Sequence, residues 1–557
     1  MKLKLVFILN LVAHVAFGQN NKATFSYFEY KGNDVCFEQQ IDPKTQYRNP
    51  ILAGFYPDPS ICRRGDDYFL VNSSFSYYPG IPIFHSRDLV NWKQIGHVLD
   101  RPSQLKLDGL GLSAGVYAPA IEYNTSNQTF YLINTIIGGI GNFVVKTRDP
   151  FQSWGEPIRV PELNGMDPSF FFDEDGKAYI VHCGIPVGAP KWNGHRAIWL
   201  HEYNTETDKI VGKGKIIADG GADTTKHPIW LEGPHLYKIN GKYYLMAAEG
   251  GTSEGHSEVI FSSDKVDGPY TAWKNNPILT QRDLPKERAN KVTSTGHADL
   301  LQTANGDWMA VFLGCRPYGD EYYHSGRETF LLPVRWEEGF PVILDKGKAV
   351  MPVVLHPNLA TGGDLLTGNF RWRDDFDKPL LDLKWNMLRT PREQWWEVKD
   401  GNISLEALPR SLDQLVNPAF LGRRQQHLDY EAETAVKFVP KSGNELAGLA
   451  YFQNEKNYFV VGITLRNGKP ILILKGVTGG VAKEWKVSEI PSGSIGEEIL
   501  LSLRVKEGEA SFYYGEKGKQ RIVLTEKVDV TSLSTKKGGG FVGASVGMYA
   551  TSSMDAR

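Results

Sequence analysis

Cysteine is scarce in this chain: Cys36, Cys62, Cys183 and Cys315 are the four in 557 residues. Their spacings match no disulfide framework, and CxxC and HExxH motifs are absent, so nothing supports a zinc site. Cys62, Cys183 and Cys315 lie in strand-like apolar segments, which predicts buried free thiols. An excess of one charge is missing too. The 62 Lys and Arg nearly balance the 64 Asp and Glu, giving a net charge of −2. Nucleic acid is thereby excluded as a partner, because its phosphates demand a basic stripe. Long apolar runs end early. Lys2 and Lys4 precede the apolar stretch Leu5 to Phe17, and Ala16 and Gly18 suit a cleavage site before Gln19. This reads as a signal peptide over 1–18, short of the ~20 residues of a spanning helix. No cysteine follows closely enough for lipid attachment, and no later run is long enough to span. The expectation is an exported chain, periplasmic or secreted, with no membrane partner. Sustained helical periodicity is also lacking, which leaves an all-β chain.

What the sequence does contain is a repeat. YPDPSI at Asp58, VYAPAI at Tyr117, MDPSFF at Asp167, LEGPHL at Glu232 and GHADLL at His297 follow at intervals of 59, 50, 65 and 65 residues. Each opens a short apolar run, then a turn, then a second strand: DYFLVNSS, TFYLINT, KAYIVHCG, KYYLMAAE and DWMAVFLG. Strand, turn and strand repeated five times predict a five-bladed β-propeller over 49–357. The anchors, taken as equivalent, should converge at one end of its channel. Residues 19–48 are polar and are expected to pack on the propeller as an N-terminal extension. The Gly-, Pro- and Asn-rich stretch LHPNLATGGDLLTGNF supplies a linker over 358–369 that leads into 370–557, where alternating segments such as YEAETAVKF and ILLSLRVKEGEASFYYG predict an antiparallel β-sandwich.

Three of the five anchors are carboxylates. Cleaving a glycosidic bond takes two carboxyl groups, one protonated to donate to the leaving oxygen and one ionised to act on water or carbon. Asp58, Asp167 and Glu232 in register at a channel mouth, with His297 in a fourth register, point to that chemistry more than to strand-start capping. The prolines that follow lack an N–H, which the first residues of a strand tolerate. The 13 Trp, 25 Tyr and 27 Phe are mostly assigned to blade and sandwich cores, although some can stack on sugar faces.

FYPDPSI, MDPSFF with DEDGKAY, LEGPHLY and GHADLLQTANGDWMAVFLGCRP together resemble glycoside hydrolase family 43. The resemblance covers the propeller in order, and the sandwich is similar to the domain often appended to the xylosidase-like branch. It implies an inverting exo-glycosidase. Asp58 would be the general base, Glu232 the general acid and Asp167 the group that orients the acid and raises its pKa. His297 would stand beside a mostly hydrated calcium ion; no organic cofactor is implied. Arg327 and Phe75 would contact the glycone, Thr252 would lie near the acid, and Phe541 would reach over from the sandwich. Tyr117 stands where xylosidases of this branch place Trp, and Gly184 and Ile185 where they place another. A reshaped glycone wall favours α-L-arabinofuranosyl ends of plant hemicellulose, arabinoxylan or xyloglucan. A β-D-xylosidase and a non-catalytic carbohydrate-binding propeller are the alternatives. The pattern specifies neither the plant polysaccharide nor an oligomeric state.

Overall fold

The computed structural model describes residues 21–355, 366–490 and 492–554; the expected signal segment and most of the linker lie outside the described residues. Five antiparallel sheets follow one another along the chain, each ordered from channel to rim. Their innermost strands are Ser60–Arg64, Gly115–Asn124, Gly165–Phe172, Glu232–Ile239 and Thr293–Gln302. Tight turns make the meander possible: Asn240 (φ 53°) and Gly241 (φ 78°) both adopt left-handed backbone between two fourth-blade strands, as a two-residue hairpin turn of matching twist requires. Alternate side chains from adjoining blades fill separate apolar clusters, such as Ile180, Phe170 and Tyr131 between the second and third blades. The ring closes between its first and last blades. Asp299 Oδ2 accepts from the Ser60 hydroxyl at 2.8 Å and from the Ile61 N–H at 2.9 Å.

Two eight-stranded sheets form the sandwich. One of them corrects the expectation for the N-terminal extension. The strand Lys22–Gly32 does not pack on the propeller; it lies inside a sandwich sheet, paired with Asn402–Glu406, Asp429–Lys437 and Arg371–Asp374. A register shift between Phe25 and Tyr27 interrupts its alternation, so that Phe25, Tyr27, Phe28 and Tyr30 are all buried. That interruption hid a strand period in the sequence. The remainder of the segment joins the domains: Arg316 of the propeller pairs with Asp34 at 2.8 Å, and Gln46–Arg48 pairs with Val353–Leu355. In the opposite direction, Tyr77–Tyr78 of the first blade adds an edge strand to the second sandwich sheet. The cysteines are free thiols as expected, with Cys62, Cys183 and Cys315 buried.

Candidate active site

The anchors owe their convergence to a repeated backbone device. Asp58, Asp167 and His297 have φ of 51°, 53° and 52°, and Gly233 has 57°. Non-glycine residues rarely take this conformation, and such strain clusters at functional sites. In four of the five inner strands a register shift falls here, at 117/120, 166/169, 232/235 and 296/299. The equivalence expected from sequence is therefore off by one residue in two blades. Asp58, Asp167 and Gly233 each precede a proline, so Gly233 holds the position of the aspartates; Glu232, like Tyr117 before Ala118-Pro119, stands one residue earlier. Glycine is required at 233, because a Cβ there would sit 2.9 Å from the His297 ring.

Asp58, Asp167, Glu232, His297, Arg327, Phe75, Tyr117, Thr252 and Phe541 all line one cavity of about 490 Å³, so the residues expected to act on the bond, the sugar and a metal are brought together. The three carboxyls are electrostatically distinct. Burial pushes Asp58 up, but its ion pair with Arg327, the nearby His297 and a 2.6 Å hydrogen bond from the Ser73 hydroxyl outweigh it and hold Asp58 below the usual carboxylate range. Burial, then the charges of Asp167 and Asp58, push Glu232 well above that range. Asp167 is pushed up to about 7 by burial and by Asp58, against a hydrogen bond from the Gly233 N–H at 3.3 Å. One ionised and one protonated carboxyl in a shared cavity is the division of labour that general base and general acid need at neutral pH.

Aromatic rings form part of the wall, beside Arg327. Phe75 lies 4.9 Å from Tyr117 and 6.0 Å from Phe541, and the Arg327 guanidinium is 5.6 Å from both phenylalanine rings. Phe541 comes from the sandwich, and its N–H donates to Ser113 Oγ at 2.9 Å. The Tyr117 hydroxyl donates to the Ser113 carbonyl at 2.7 Å. Gly184 and Ile185 do not border the cavity. A Cβ at Gly184 would meet the Trp199 ring at 2.8 Å, and Ile185 is 55% exposed while its carbonyl accepts from Trp199 Nε1. Ile137, Met166, Ile229 and Trp230 build the wall instead. Sequence reasoning passed over these residues. For Trp230 a signal existed, since it stands two residues before Glu232 in IWLEGPH.

His297 is buried, and its pKa is pushed down to about 4 by that burial, so the imidazole is neutral and can serve as a ligand. Among the described residues no three His, Cys, Asp or Glu converge as a metal cage. Only a cation held largely by water, touching one imidazole, fits that donor set.

Comparison with known proteins agrees with this geometry. Residues 47–341 match glycosyl hydrolases family 43, and residues 373–557 match the β-xylosidase C-terminal concanavalin A-like domain. A xylosidase/arabinosidase of Butyrivibrio fibrisolvens is 38% identical over 90% of this chain and 95% of its own. A non-reducing end α-L-arabinofuranosidase of Bacteroides ovatus is 36% identical over 91% of both. Among solved structures, a GH43_12 protein retrieved from capybara gut metagenome superimposes with a TM-score of 0.90 at 41% identity, covering 96% of this chain and 100% of that one. A xylan β-1,4-xylosidase from Bacillus halodurans gives 0.82 at 32%, covering 92% and 97%. With nearly its whole propeller matched, its cavity carrying the expected carboxylates and relatives above 30% identity along nearly their full length, this chain belongs to glycoside hydrolase family 43 and is a glycoside hydrolase.

Proposed function

We propose that the protein is an inverting exo-α-L-arabinofuranosidase that removes non-reducing terminal arabinofuranosyl residues from hemicellulose side chains. Asp58, ionised beside Arg327, takes a proton from water as its oxygen bonds to the anomeric carbon. The bond from that carbon to the leaving oxygen breaks, and Glu232 gives its proton to that oxygen. Asp167, buried beside both, keeps Glu232 protonated by its charge and orients the segment through the Gly233 N–H. Arg327, Phe75 and Tyr117 hold the sugar ring, and Thr252 and Phe541 complete its surroundings.

The observation that carries the glycone choice is the cavity wall made by Ile137 of the second blade and Met166 of the third, where among the described residues no third-blade Trp stands. Flexible and branched aliphatic chains leave room for a projecting hydroxymethyl group. The Bacteroides ovatus relative supports the same choice. The Lys2, Lys4 and Leu5 to Phe17 pattern supports export, which brings the enzyme to plant oligosaccharides outside the cytoplasm. A calcium ion beside His297, mostly hydrated, would add positive charge close to the carboxylates.

The test is the ratio of kcat/KM for nitrophenyl α-L-arabinofuranoside and nitrophenyl β-D-xyloside. Contacts that differ by one hydroxymethyl are worth roughly 10–200-fold, so the arabinofuranoside should win by a factor in that range. A ratio favouring the xyloside would make the enzyme a β-D-xylosidase on the same carboxylates.

A further inference from the structure

Trp230 borders the cavity two residues ahead of Glu232 on the same segment. Its backbone is left-handed, with φ 54°, which for so bulky a residue is a genuine outlier. The conformation is held from several sides. The Trp230 N–H donates to the Gly194 carbonyl at 2.8 Å, and Gly251 lies alongside the ring, where an added Cβ would be at ordinary contact distance from Trp230 Cδ1. The Arg196 guanidinium lies 4.0 Å from the centroid of the Trp230 ring and donates to the His195 carbonyl at 2.9 Å. His195 is buried, bonded to Asp219 at 2.8 Å and stacked on Trp192 at 4.1 Å. Trp192 in turn donates to the Pro228 carbonyl at 2.7 Å. An indole is thus fixed in a strained position at the cavity wall, with a cation against its ring, by a chain of contacts outside the carboxylate cluster.

We propose that Trp230, backed by Arg196, is the platform for the leaving group, and that it is shaped for a pyranose such as a backbone xylosyl unit rather than for a second furanose. The inference rests on the arabinofuranosidase reading. The acid must sit at the glycosidic oxygen, so the leaving group lies against the segment that delivers Glu232, and Trp230 is the ring on that segment. A pyranose chair with equatorial hydroxyls presents flat C–H faces that cover an indole; a puckered furanose ring does not. Substrates in which arabinofuranose decorates xylose are therefore favoured over arabinan.

The experiment compares Trp230→Ala with wild type on methyl α-L-arabinofuranoside, on arabinofuranosyl-substituted xylotriose and on α-1,5-arabinobiose. The loss of kcat/KM on the xylotriose derivative should exceed the loss on the methyl glycoside by about tenfold, the order expected for a lost ring contact, and should appear mainly in KM. Trp230→Phe should recover most of it, and Arg196→Met should give an intermediate loss; these two carry the test if the alanine variant does not fold. Equal losses on all three substrates would overturn the platform, and a loss confined to arabinobiose would overturn the pyranose. Should wild type cleave xylosides and no arabinofuranoside, the arabinofuranosidase reading fails by itself. The platform is then judged on xylotriose against methyl β-D-xyloside by the same ratio.

Discussion

Asp58→Asn removes the proposed base while preserving its shape, and the structure says what else must change. General-base assistance is worth roughly 10²–10⁴-fold, about 3–5.5 kcal/mol of barrier, so kcat on nitrophenyl α-L-arabinofuranoside should fall by that factor. The substitution also leaves the Arg327 guanidinium buried without its carboxylate. Breaking a buried pair costs about 3–5 kcal/mol, an upper limit here because Asp167 and Glu232 share the cavity and can take up part of the charge. Their own titration should then move. The Asp58 charge raises both Glu232 and Asp167, so the alkaline limb of the residual pH–rate profile should shift to lower pH, while the acid limb set by Asp58 disappears. Azide, filling the place of the activated water, should restore turnover and yield the glycosyl azide of inverted configuration. The assay is kcat/KM against pH, with the anomer of the azide assigned by NMR and folding checked by a thermal melt. Retention of more than about a tenth of the wild-type rate in a folded variant would refute the assignment. An azide product of retained configuration would refute the inverting mechanism.

Glu232→Gln should all but abolish cleavage of alkyl arabinofuranosides and spare nitrophenyl ones more, because nitrophenolate leaves without a proton; equal losses on both would remove Glu232 as the acid. Exhaustive chelation should lower the melting temperature or the activity if a cation bound only to the native state sits beside His297, and an unchanged melt with full activity would discard the ion. Glu122, partly buried and beside the Asp299 charge, has its pKa pushed up from 4.5 to about 8, first by burial and then by Asp299. Its folded-state pKa lies above the unfolded value, so stability is intact below about pH 4.5 and is lost as the pH rises toward 8. Glu122→Gln should therefore raise the melting temperature at pH 8 and leave it nearly unchanged near pH 4.5. The opposite pattern in calorimetry would contradict this environment.

The sequence by itself determined the architecture and the carboxylates. Five strand–turn–strand units at a near-constant interval can only stack as blades, and Asp58, Asp167 and Glu232 stand in motifs at the start of each inner strand. Local chemistry was enough, because alternation and turn residues act over a few neighbours. It did not decide where the segment 22–32 belongs, since its partners lie roughly as far away as residue 437 and its alternation is broken by a bulge. Nor did it place Glu232 and Tyr117 one residue out of step with the aspartates; left-handed backbone at Asp58, Asp167, Gly233 and His297 turns a similar spelling into a different geometry. The resemblance to xylosidases points to Gly184 and Ile185 as pocket wall, yet strand pairing turns Gly184 toward Trp199 while Ile229 and Trp230 arrive from the next blade. Phe541 and Phe75 meet only because the sandwich docks on the propeller, through Ser113 and the shared strand Tyr77–Tyr78. Which acid is protonated is likewise a tertiary result. The Asp58–Arg327 pair spans 269 residues, and it is this pair, with His297 and Ser73, set against the burial that raises all three carboxyls, that separates base from acid; no motif encodes it.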